Sequence, residues 1–258
     1  MRPPFRGDRS GIAHFHPYFE YGGTIAKTTT PVKPEKRVYR SLRRRESAEH
    51  TRASILRAAQ AIFESRGWAG TTMRLVSDAA GVSLQSVEAI FGTKSALLQA
   101  TVDFAIRGDA GATPVVQREA VARMEAAATA VEMLDLHAAH LRAVNSRSAR
   151  VAWAVEQAAS HDASVGELWR QMNDNRAFGV RWAATTLLAK PDHRRRLARG
   201  DVESAFWVAL DWGTYRTLTG PARLSDDQYE AWLRWYYRST LAEDGPSAPR
   251  TRGAATGR

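Results

Sequence analysis

The chain has 258 residues, a formal net charge of +10 and no cysteine. These values exclude a disulfide framework, a thiolate metal site and a cysteine nucleophile, and they suit a soluble protein of one large or two modest domains. The positive charge favours a polyanionic partner, either nucleic acid or an anionic membrane surface. No apolar run approaches the ~18 residues that span a bilayer, and no secretory signal is visible, so we expect a cytoplasmic protein without a membrane partner.

The first segment, 1–46, is rich in proline, glycine and basic residues and shows little helical periodicity. This composition predicts a disordered tail. Arg43, Arg44 and Arg45 stand just before the first strong helical pattern. The segment is therefore also a candidate for a basic arm that contacts DNA.

Residues 47–108 are predicted to form four helices, the second and third of them short. Apolar residues at helical spacing are Ile55, Leu56, Ala59, Ile62 and Phe63, then Met73, Leu75, Val76 and Ala79, then Val87 and Phe91. Gly67, Gly81 and Gly92 end the first three helices, and Thr71 or Thr72, Ser83 and Thr93 can cap the next three. Two short helices joined by a glycine turn and packed on a longer one form a helix-turn-helix.

The second short helix of such a unit enters the DNA major groove. Residues 83–90 are the predicted recognition helix, held by Val82, Val87 and Phe91. Its outer side chains suit base edges: Gln85 an adenine, Leu84 a thymine methyl, and Ser86 a base or a phosphate. A compact three-helix bundle without a DNA role fits the same periodicity.

Lys94 stands at the predicted start of the fourth helix, where the helix dipole disfavours a cation by ~0.3–1 kcal/mol. A bound anion would remove that cost, and free N–H groups beside a lysine suit a phosphate. We therefore expect Lys94, next to Thr93, to contact the DNA backbone, although surface lysines also occur at such positions by chance.

The C-terminal part, 115–242, is almost free of strand signals, so the protein is predicted to be all-α. Predicted helices cover 116–127, 129–145, 148–160, a long helix from Asp162 to Lys190, and two last helices over about 202–219, capped by Asp201, and 226–242, capped by Ser225. Residues 108–114 are the predicted domain boundary, and 243–258 a disordered basic tail.

Catalytic and metal-binding patterns are weak. His137 and His140 have the i, i+3 spacing that brings two imidazoles to one metal, but no third ligand has a matching position. The run Arg194, Arg195 and Arg196 is predicted to be a solvated loop that could touch DNA or acidic lipid. We find no nucleophile elbow and no phosphate-binding glycine loop, so we expect no enzyme, no metal and no cofactor.

Residues 52–100 resemble the N-terminal domain of TetR-type transcriptional repressors. The matching features are Ile55-Leu56, Ala58-Ala59, Phe63, Gly67, Thr71-Thr72, Ala80-Gly81-Val82-Ser83, Phe91, Lys94 and Leu97-Leu98. No single feature is specific, but their order and spacing over about fifty residues are.

The resemblance implies an all-α homodimer. Its N-terminal three-helix domain carries the helix-turn-helix and binds a palindromic double-stranded DNA operator, and its helical C-terminal domain binds a small-molecule effector and dimerises. By position, the resemblance assigns DNA contacts to Thr72, Ser83, Gln85, Ser86, Thr93 and Lys94, to which the outer face of the helix adds Leu84 and Glu88. Arg43, Arg44 and Arg45 resemble the basic extensions that some members lay along the minor groove.

One position departs from the family. A tyrosine that reaches a phosphate is usual where this chain has Glu88, and the next position, often aromatic, is Ala89. A carboxylate repels phosphate, so Glu88 either accepts a hydrogen bond from a cytosine amine, pairs with an arginine, or marks weakened or altered DNA binding.

Large aromatic residues are concentrated in the C-terminal part. All but one of the eight tryptophans lie after residue 150. The candidate lining of an effector cavity is Trp153, Trp169, Met172, Phe178, Trp182, Trp207 and Asp211, which suggests an apolar or aromatic effector. The candidate dimer interface on the last two helices is Trp207, Trp212, Tyr215, Trp232, Trp235, Tyr236 and Tyr237. Any of these aromatics can instead be ordinary core residues.

A ligand-responsive DNA-binding repressor fits best. A helical-bundle enzyme would need clustered acids and histidines, and a membrane-surface scaffold would need a long amphipathic helix with lysines. A helical ligand-binding protein with altered DNA binding is the remaining alternative.

Overall fold

The computed structural model describes residues 35–109, 118–194 and 196–242, with side chains from residue 47 onward. The helices of these ranges are α1 (Glu35–Arg66), α2 (Met73–Ala80), α3 (Leu84–Phe91), α4 (Lys94–Arg107), α5 (Glu119–Ala126), α6 (Ala130–Ala158), α7 (Ala163–Leu188), α8 (Arg199–Ala209), α9 (Trp212–Thr219) and α10 (Asp226–Leu241). The described ranges contain no strand beyond an isolated bridge between His193 and Ala242. The predicted fold class, all-α with an N-terminal helix-turn-helix and a helical C-terminal domain, is confirmed.

Several predictions fall on residues outside these ranges. They are the arm up to residue 34, most of the boundary loop 108–114, and the basic tail 243–258. Arg195 lies outside them as well.

The first helix begins at Glu35 rather than at the predicted Ser47. The extra stretch, EKRVYRSLRRRE, contains neither proline nor glycine and is rich in arginine, glutamate and other good helix formers. Because these residues continue a helix that is already packed, they need no new nucleus. The prediction of disorder over residues 35–46 is therefore wrong, and Arg43, Arg44 and Arg45 lie within α1.

The short helices α2, α3 and α4 begin where the sequence predicts. Thr72, Ser83 and Thr93 each accept a hydrogen bond from the backbone N–H three residues later, at 3.1 Å in every case. Gly81 ends α2 with φ of +67°, a left-handed conformation that glycine adopts without strain. These local bonds fix where α2, α3 and α4 begin and where α2 ends, and α3 packs against α2 and α4.

The C-terminal helices differ from the prediction in two places. The predicted helices 129–145 and 148–160 are one continuous helix, α6. The predicted helix 202–219 is broken into α8 and α9, because the Asp211 carboxylate accepts a hydrogen bond from Thr214 N at 3.0 Å and so caps a new helix. Asp201 is not the cap of α8, which begins two residues earlier at Arg199.

Two hydrophobic cores hold the chain together. One lies within the C-terminal bundle, around Phe206, Tyr229 and Tyr237. The other joins the helix-turn-helix core, including Phe63 and Val87, to residues of α6 and α7 such as Val151, Val155, Leu168 and Met172. The boundary in the chain near residue 110 is therefore not a boundary in the packing, and the first four helices rest directly on the C-terminal bundle.

Candidate DNA-binding surface and internal cavity

Helix α3 has one face in the core and one face outside. Val87 and Phe91 are buried and fix the helix on the domain. Gln85, Glu88 and Ala89 are exposed on the other side, and Ile90 is 38% exposed. The Gln85 amide, which can donate and accept hydrogen bonds, and the Glu88 carboxylate, which accepts them, therefore both lie on the outer face of this two-turn helix.

The serines at the start of α3 are partly engaged with each other. The Ser83 and Ser86 hydroxyls lie 2.8 Å apart, within hydrogen-bond distance, and Ser86 is half-buried. Leu84 is also half-buried, so its reach toward a base is shorter than that of Gln85. Glu88 forms no ion pair with any side chain that the structure describes, so the predicted pairing with an arginine is not found.

Lys94 does not point toward solvent. Its Nζ donates hydrogen bonds to the carbonyl oxygens of Trp68 at 3.0 Å and Thr71 at 3.2 Å, and it lies 3.9 Å from the centroid of the Trp68 ring. Burial lowers the pKa of this ammonium, and the Asp162 charge opposes that shift. A lysine at this helix start is thus explained by contacts inside the protein, so its position alone does not indicate a phosphate site, and its contact with DNA stays a prediction.

The same turn is tied to the C-terminal bundle. The Trp68 ring stacks on Phe63 with 8° between the planes, and its Nε1 donates to the Asp162 carboxylate at 3.0 Å. Asp162 is the predicted cap of α7 and accepts hydrogen bonds from the backbone of Ser164 and Val165. The turn between α1 and α2 and the start of α7 therefore share one hydrogen-bonded network.

A cavity of about 210 Å³, partly open to the surface, lies between α4, α5, α6 and α7 and the start of α9. Its apolar lining consists of Ile106, Val121, Met124, Leu141, Val144, Met172, Phe178, Trp182, Leu210 and Trp212. Its polar lining consists of Asp103, Arg107, His137, His140, Asn145, Asn175 and Arg176. A largely apolar cavity with a few polar groups between bundle helices is a usual site for a small ligand.

The two histidines of the cavity wall are neutral near pH 7. Burial lowers the pKa of His137 to about 3, and its Nδ1 lies 2.7 Å from the Tyr237 hydroxyl. Burial also lowers the pKa of His140, with Arg147 and Arg118 adding to the shift. The described residues bring no third histidine, cysteine, aspartate or glutamate into a metal-binding group with them.

Other polar groups of the wall differ in whether they have partners. Asn145 Nδ2 donates to the Tyr229 hydroxyl at 2.9 Å. Arg176 donates to the Asp211 carboxylate at 2.7 Å and stacks over the Trp207 ring, but its Nε is buried without a partner. Both polar atoms of the Asn175 amide, and Nε of Arg107, are also buried without a hydrogen-bond partner in the part of the chain that the structure describes.

Residues 55–101 match the family model of bacterial regulatory proteins, tetR family. The helix-turn-helix region of this chain therefore matches a tetR-family domain. The resemblance seen in the sequence is therefore confirmed. No curated protein matches the sequence. In the described part of the chain, no helix combines the length and the apolar character needed to cross a membrane.

Solved structures resemble the fold over most of the chain. A protein from Rhodococcus sp. assigned to the TetR family is 16% identical with a TM-score of 0.56, over 75% of this chain and 99% of that chain. NalD of Pseudomonas aeruginosa, the secondary repressor of the MexAB-OprM multidrug efflux pump, is 17% identical with a TM-score of 0.57, over 77% and 98%. A transcriptional regulator from Saccharomonospora viridis, solved with choline, is 17% identical with a TM-score of 0.54, over 74% and 97%. At these identities the likeness establishes the fold beyond the tetR-family domain.

The predicted cavity residues divide into two groups. Met172, Phe178 and Trp182 line the cavity. Trp153, Trp169, Trp207 and Asp211 do not: Trp153 is 39% exposed under Arg216, Trp169 packs against Trp212, and Trp207 and Asp211 both contact Arg176. Their placement in the lining was wrong, because helical spacing alone does not tell which face of a long helix turns inward.

The polar residues of the cavity wall were not predicted as such from the sequence. Asn175 and Arg176 lie on the same stripe of α7 as Met172 and Gly179, at the i, i+3, i+4 and i+7 spacing of one helix face. Polar residues on an otherwise apolar stripe were the signal that could have found them. His137 and His140 were noticed, but as a weak metal pair rather than as cavity wall.

The predicted interface residues also divide. Trp212 is half-buried and its Nε1 donates to Ser148 at 3.1 Å, and its place in an interface stays a prediction. Tyr237 is fully buried beside His137, so it offers no surface to a second subunit. Trp232 and Tyr236 are half-buried and stack with their centroids 5.2 Å apart. Tyr215 donates to Asp226 at 2.6 Å, and Trp235 is half-buried. For these four residues the interface stays a prediction.

Proposed function

We propose that the protein is a DNA-binding transcriptional regulator, a repressor that binds a palindromic operator as a homodimer and releases it when a small molecule fills the cavity. The observation that carries this proposal is the exposed face of α3, with Gln85 and Glu88 outward on a helix whose other face is locked in the core. The net charge of +10 supports a polyanionic partner.

Helix α4 is the element that can connect the two sites. Its first residue, Lys94, holds the turn that precedes the helix-turn-helix, and its last turns carry Ile106 and Arg107 in the cavity wall. Arg147 of α6 donates to the carbonyls of Ala105 and Ile106, each at 3.1 Å, and so ties the end of α4 to the bundle. A ligand that moves this end would tilt α4 and change the position of α3, about 20 Å away along the helix.

The cavity wall limits the ligand class. Choline, the ligand of the Saccharomonospora viridis regulator, carries a permanent positive charge. Here the wall contains two guanidinium groups, Arg107 and Arg176, against one carboxylate, Asp103, and its two histidines are neutral, so a cation would meet more positive than negative side chains in the wall. We therefore expect this cavity to select against choline-like cations.

A second candidate function is a helical ligand-binding protein with weakened or altered DNA binding. The observation that favours it is Glu88, an exposed carboxylate in the middle of α3 that has no ion-pair partner among the described side chains. In any duplex that α3 enters, this negative charge would be repelled by the phosphates unless a cytosine amine donates a hydrogen bond to it.

The two functions are separated by measuring DNA binding by fluorescence anisotropy over a salt series. The probes are duplexes from the region upstream of the gene and duplexes selected from genomic fragments by the protein itself. The variants are Gln85→Ala and, as a matched control, Gln157→Ala, which changes an exposed glutamine outside the helix-turn-helix, near the C-terminal end of α6.

A regulator is expected to prefer a palindromic duplex over random DNA, with affinity that falls as salt rises. Gln85→Ala is expected to lose about 1–3 kcal/mol of that preference, since one base contact is removed, while Gln157→Ala keeps it. If selected duplexes bind no better than random DNA, the regulator is excluded and the second function stands. Glu88→Gln then shows whether the carboxylate is the cause, since it should restore affinity on every duplex.

A further inference from the structure

We infer that the cavity binds a small, mostly apolar and uncharged molecule that presents a hydrogen-bond donor and acceptor side by side, as a carboxamide or a lactam does, and that Asn175 binds this group. The inference rests on the proposed function only in taking the cavity as a ligand site. It concerns the class of ligand, which the proposed function leaves open.

The Asn175 side chain is the starting point. Both its Nδ2 and its Oδ1 are buried, and neither has a hydrogen-bond partner in the described part of the protein. A buried amide without partners is costly, and natural proteins rarely leave both of its atoms in that state. Asn175 is one of the α7 residues that line the cavity, together with Met172, and its two buried amide atoms meet a ligand there once the side chain turns toward the cavity.

A ligand with an adjacent N–H and C=O satisfies both atoms at once. The ligand N–H donates to Oδ1 while the ligand carbonyl accepts from Nδ2, which closes a two-bond ring. This pairing holds whichever way the Asn175 amide is turned, because a ligand of this class carries both a donor and an acceptor. A ligand with only an acceptor, or only a donor, leaves one atom of the amide unsatisfied.

The charges around the cavity favour a neutral ligand over an ion. A cation would meet the guanidinium groups of Arg107 and Arg176 against the single carboxylate of the wall, Asp103. A carboxylate can accept from Asn175 Nδ2, but its negative charge would face Oδ1, and it would lose its hydration in a largely apolar cavity. Arg176 is already paired with Asp211 at 2.7 Å, so its charge is compensated without a ligand.

The cavity size sets the scale of the molecule. A protein cavity of about 150 Å³ holds benzene. The present cavity of about 210 Å³ has room for one ring with a substituent of a few atoms. Trp182, Trp212 and Leu141 supply flat and branched apolar walls for such a ring. Benzamide therefore has the size, the apolar body and the paired donor and acceptor that the site calls for.

The test compares four probes that share one ring and differ only in the attached group: benzamide, acetophenone, benzoate and benzamidinium. Binding to the full chain, without DNA, is followed by isothermal titration and by the fluorescence of the tryptophans in the wall. Benzamide is expected to bind best, about tenfold tighter than acetophenone, which can satisfy only Nδ2. Tightest binding by benzoate or benzamidinium, equal binding by all four, or no binding by any would overturn the inference.

Variants assign the effect to Asn175. Asn175→Leu removes both polar amide atoms while keeping the number and branching of the side-chain heavy atoms, and it is expected to bring the ratio of benzamide to acetophenone affinity close to one. The matched control is Asn173→Leu, on the same helix, because the Asn173 amide donates to the Trp169 carbonyl at 2.9 Å and does not line the cavity. The control is expected to keep the preference for benzamide.

Folding is checked by thermal unfolding of each variant. Asn175→Leu replaces a buried amide without partners by an apolar group, so it is expected to be at least as stable as the wild type. Asn175→Ala serves as a second variant, with the same expected loss of preference. If either folded variant keeps the tenfold preference, Asn175 is not the binding group.

The outcome is independent of the DNA experiment. Preferential benzamide binding by a chain that ignores every selected duplex would refute the regulator and leave this inference intact. Sequence-specific DNA binding without any benzamide preference would do the reverse.

Discussion

Replacing Lys94 with methionine separates its contacts inside the protein from a role at DNA. Methionine keeps the apolar stem but removes the ammonium, which donates to two backbone carbonyls at 3.0 and 3.2 Å and lies over the Trp68 ring. The loss leaves the carbonyls of Trp68 and Thr71 without this donor, at the turn that precedes the helix-turn-helix.

The magnitude follows from these contacts. A hydrogen bond from a charged group contributes about 1.5–3 kcal/mol when buried, and an exposed cation–π contact about 0.5–1 kcal/mol. Lys94 is half-buried, so water replaces part of what is lost. We expect Lys94→Met to lower the free energy of unfolding by about 2 kcal/mol, which for a chain of this size lowers the melting temperature by about 4–8 °C.

The assay is thermal and urea unfolding, with anisotropy on the best selected duplex in parallel. Arg74→Met is the control, because Arg74 is 72% exposed and pairs only with Asp78 on its own helix. Its expected loss is within about 0.5 kcal/mol. If Lys94 instead contacts a DNA phosphate, Lys94→Met will leave the free energy of unfolding unchanged and will reduce the slope of log affinity against log salt by about one. That result would refute the assignment made from the structure.

Two further predictions concern pH. Because burial lowers the pKa of His137 to about 3, the folded protein keeps it neutral while the unfolded chain protonates it below about pH 6.5, so stability is complete above that pH and falls by about 1.4 kcal/mol per unit below it. Urea unfolding at pH 7 and pH 5 should show the wild type losing about 2 kcal/mol more than His137→Gln, and equal losses would contradict a buried neutral imidazole. Hydrogen bonds from the Ser164 hydroxyl, the Val165 backbone and Trp68 lower the pKa of Asp162, so its stabilisation is present above its ordinary pKa and is lost as pH falls through the lowered folded value. Asp162→Ala should therefore be less stable than the wild type at pH 7, with a difference in melting temperature that shrinks below about pH 4, and a difference that stays constant down to pH 2 would exclude the carboxylate as its cause.

Much of the N-terminal domain was predictable because its determinants are local. Thr72, Ser83 and Thr93 cap the helices that the sequence places after them, and Val87 and Phe91 mark the buried face of α3. Each of these signals acts over three or four residues, so it can be recognised without knowing what lies beside it.

Predictions failed where the deciding contact crosses the chain. The position of Lys94 at a helix start suggested a bound phosphate, but the folded chain places the carbonyl oxygens of Trp68 and Thr71 beside its ammonium. Trp207 was predicted to line the cavity, yet it lies outside it, beneath the Arg176 guanidinium. That guanidinium in turn forms an ion pair with the Asp211 carboxylate.

The sequence by itself determined the helical class, the helix-turn-helix with its capped short helices, and the outward position of Gln85 and Glu88. The tertiary structure alone decided that α4 runs from the turn before the helix-turn-helix to a cavity, that Trp212 turns its indole N–H inward to Ser148, and that Asn175 stands in the wall with both amide atoms unpartnered among the described residues. The physical reason is range: caps and turns depend on neighbours in the chain, whereas burial, pairing and charge compensation depend on helices that meet only after the bundle has folded.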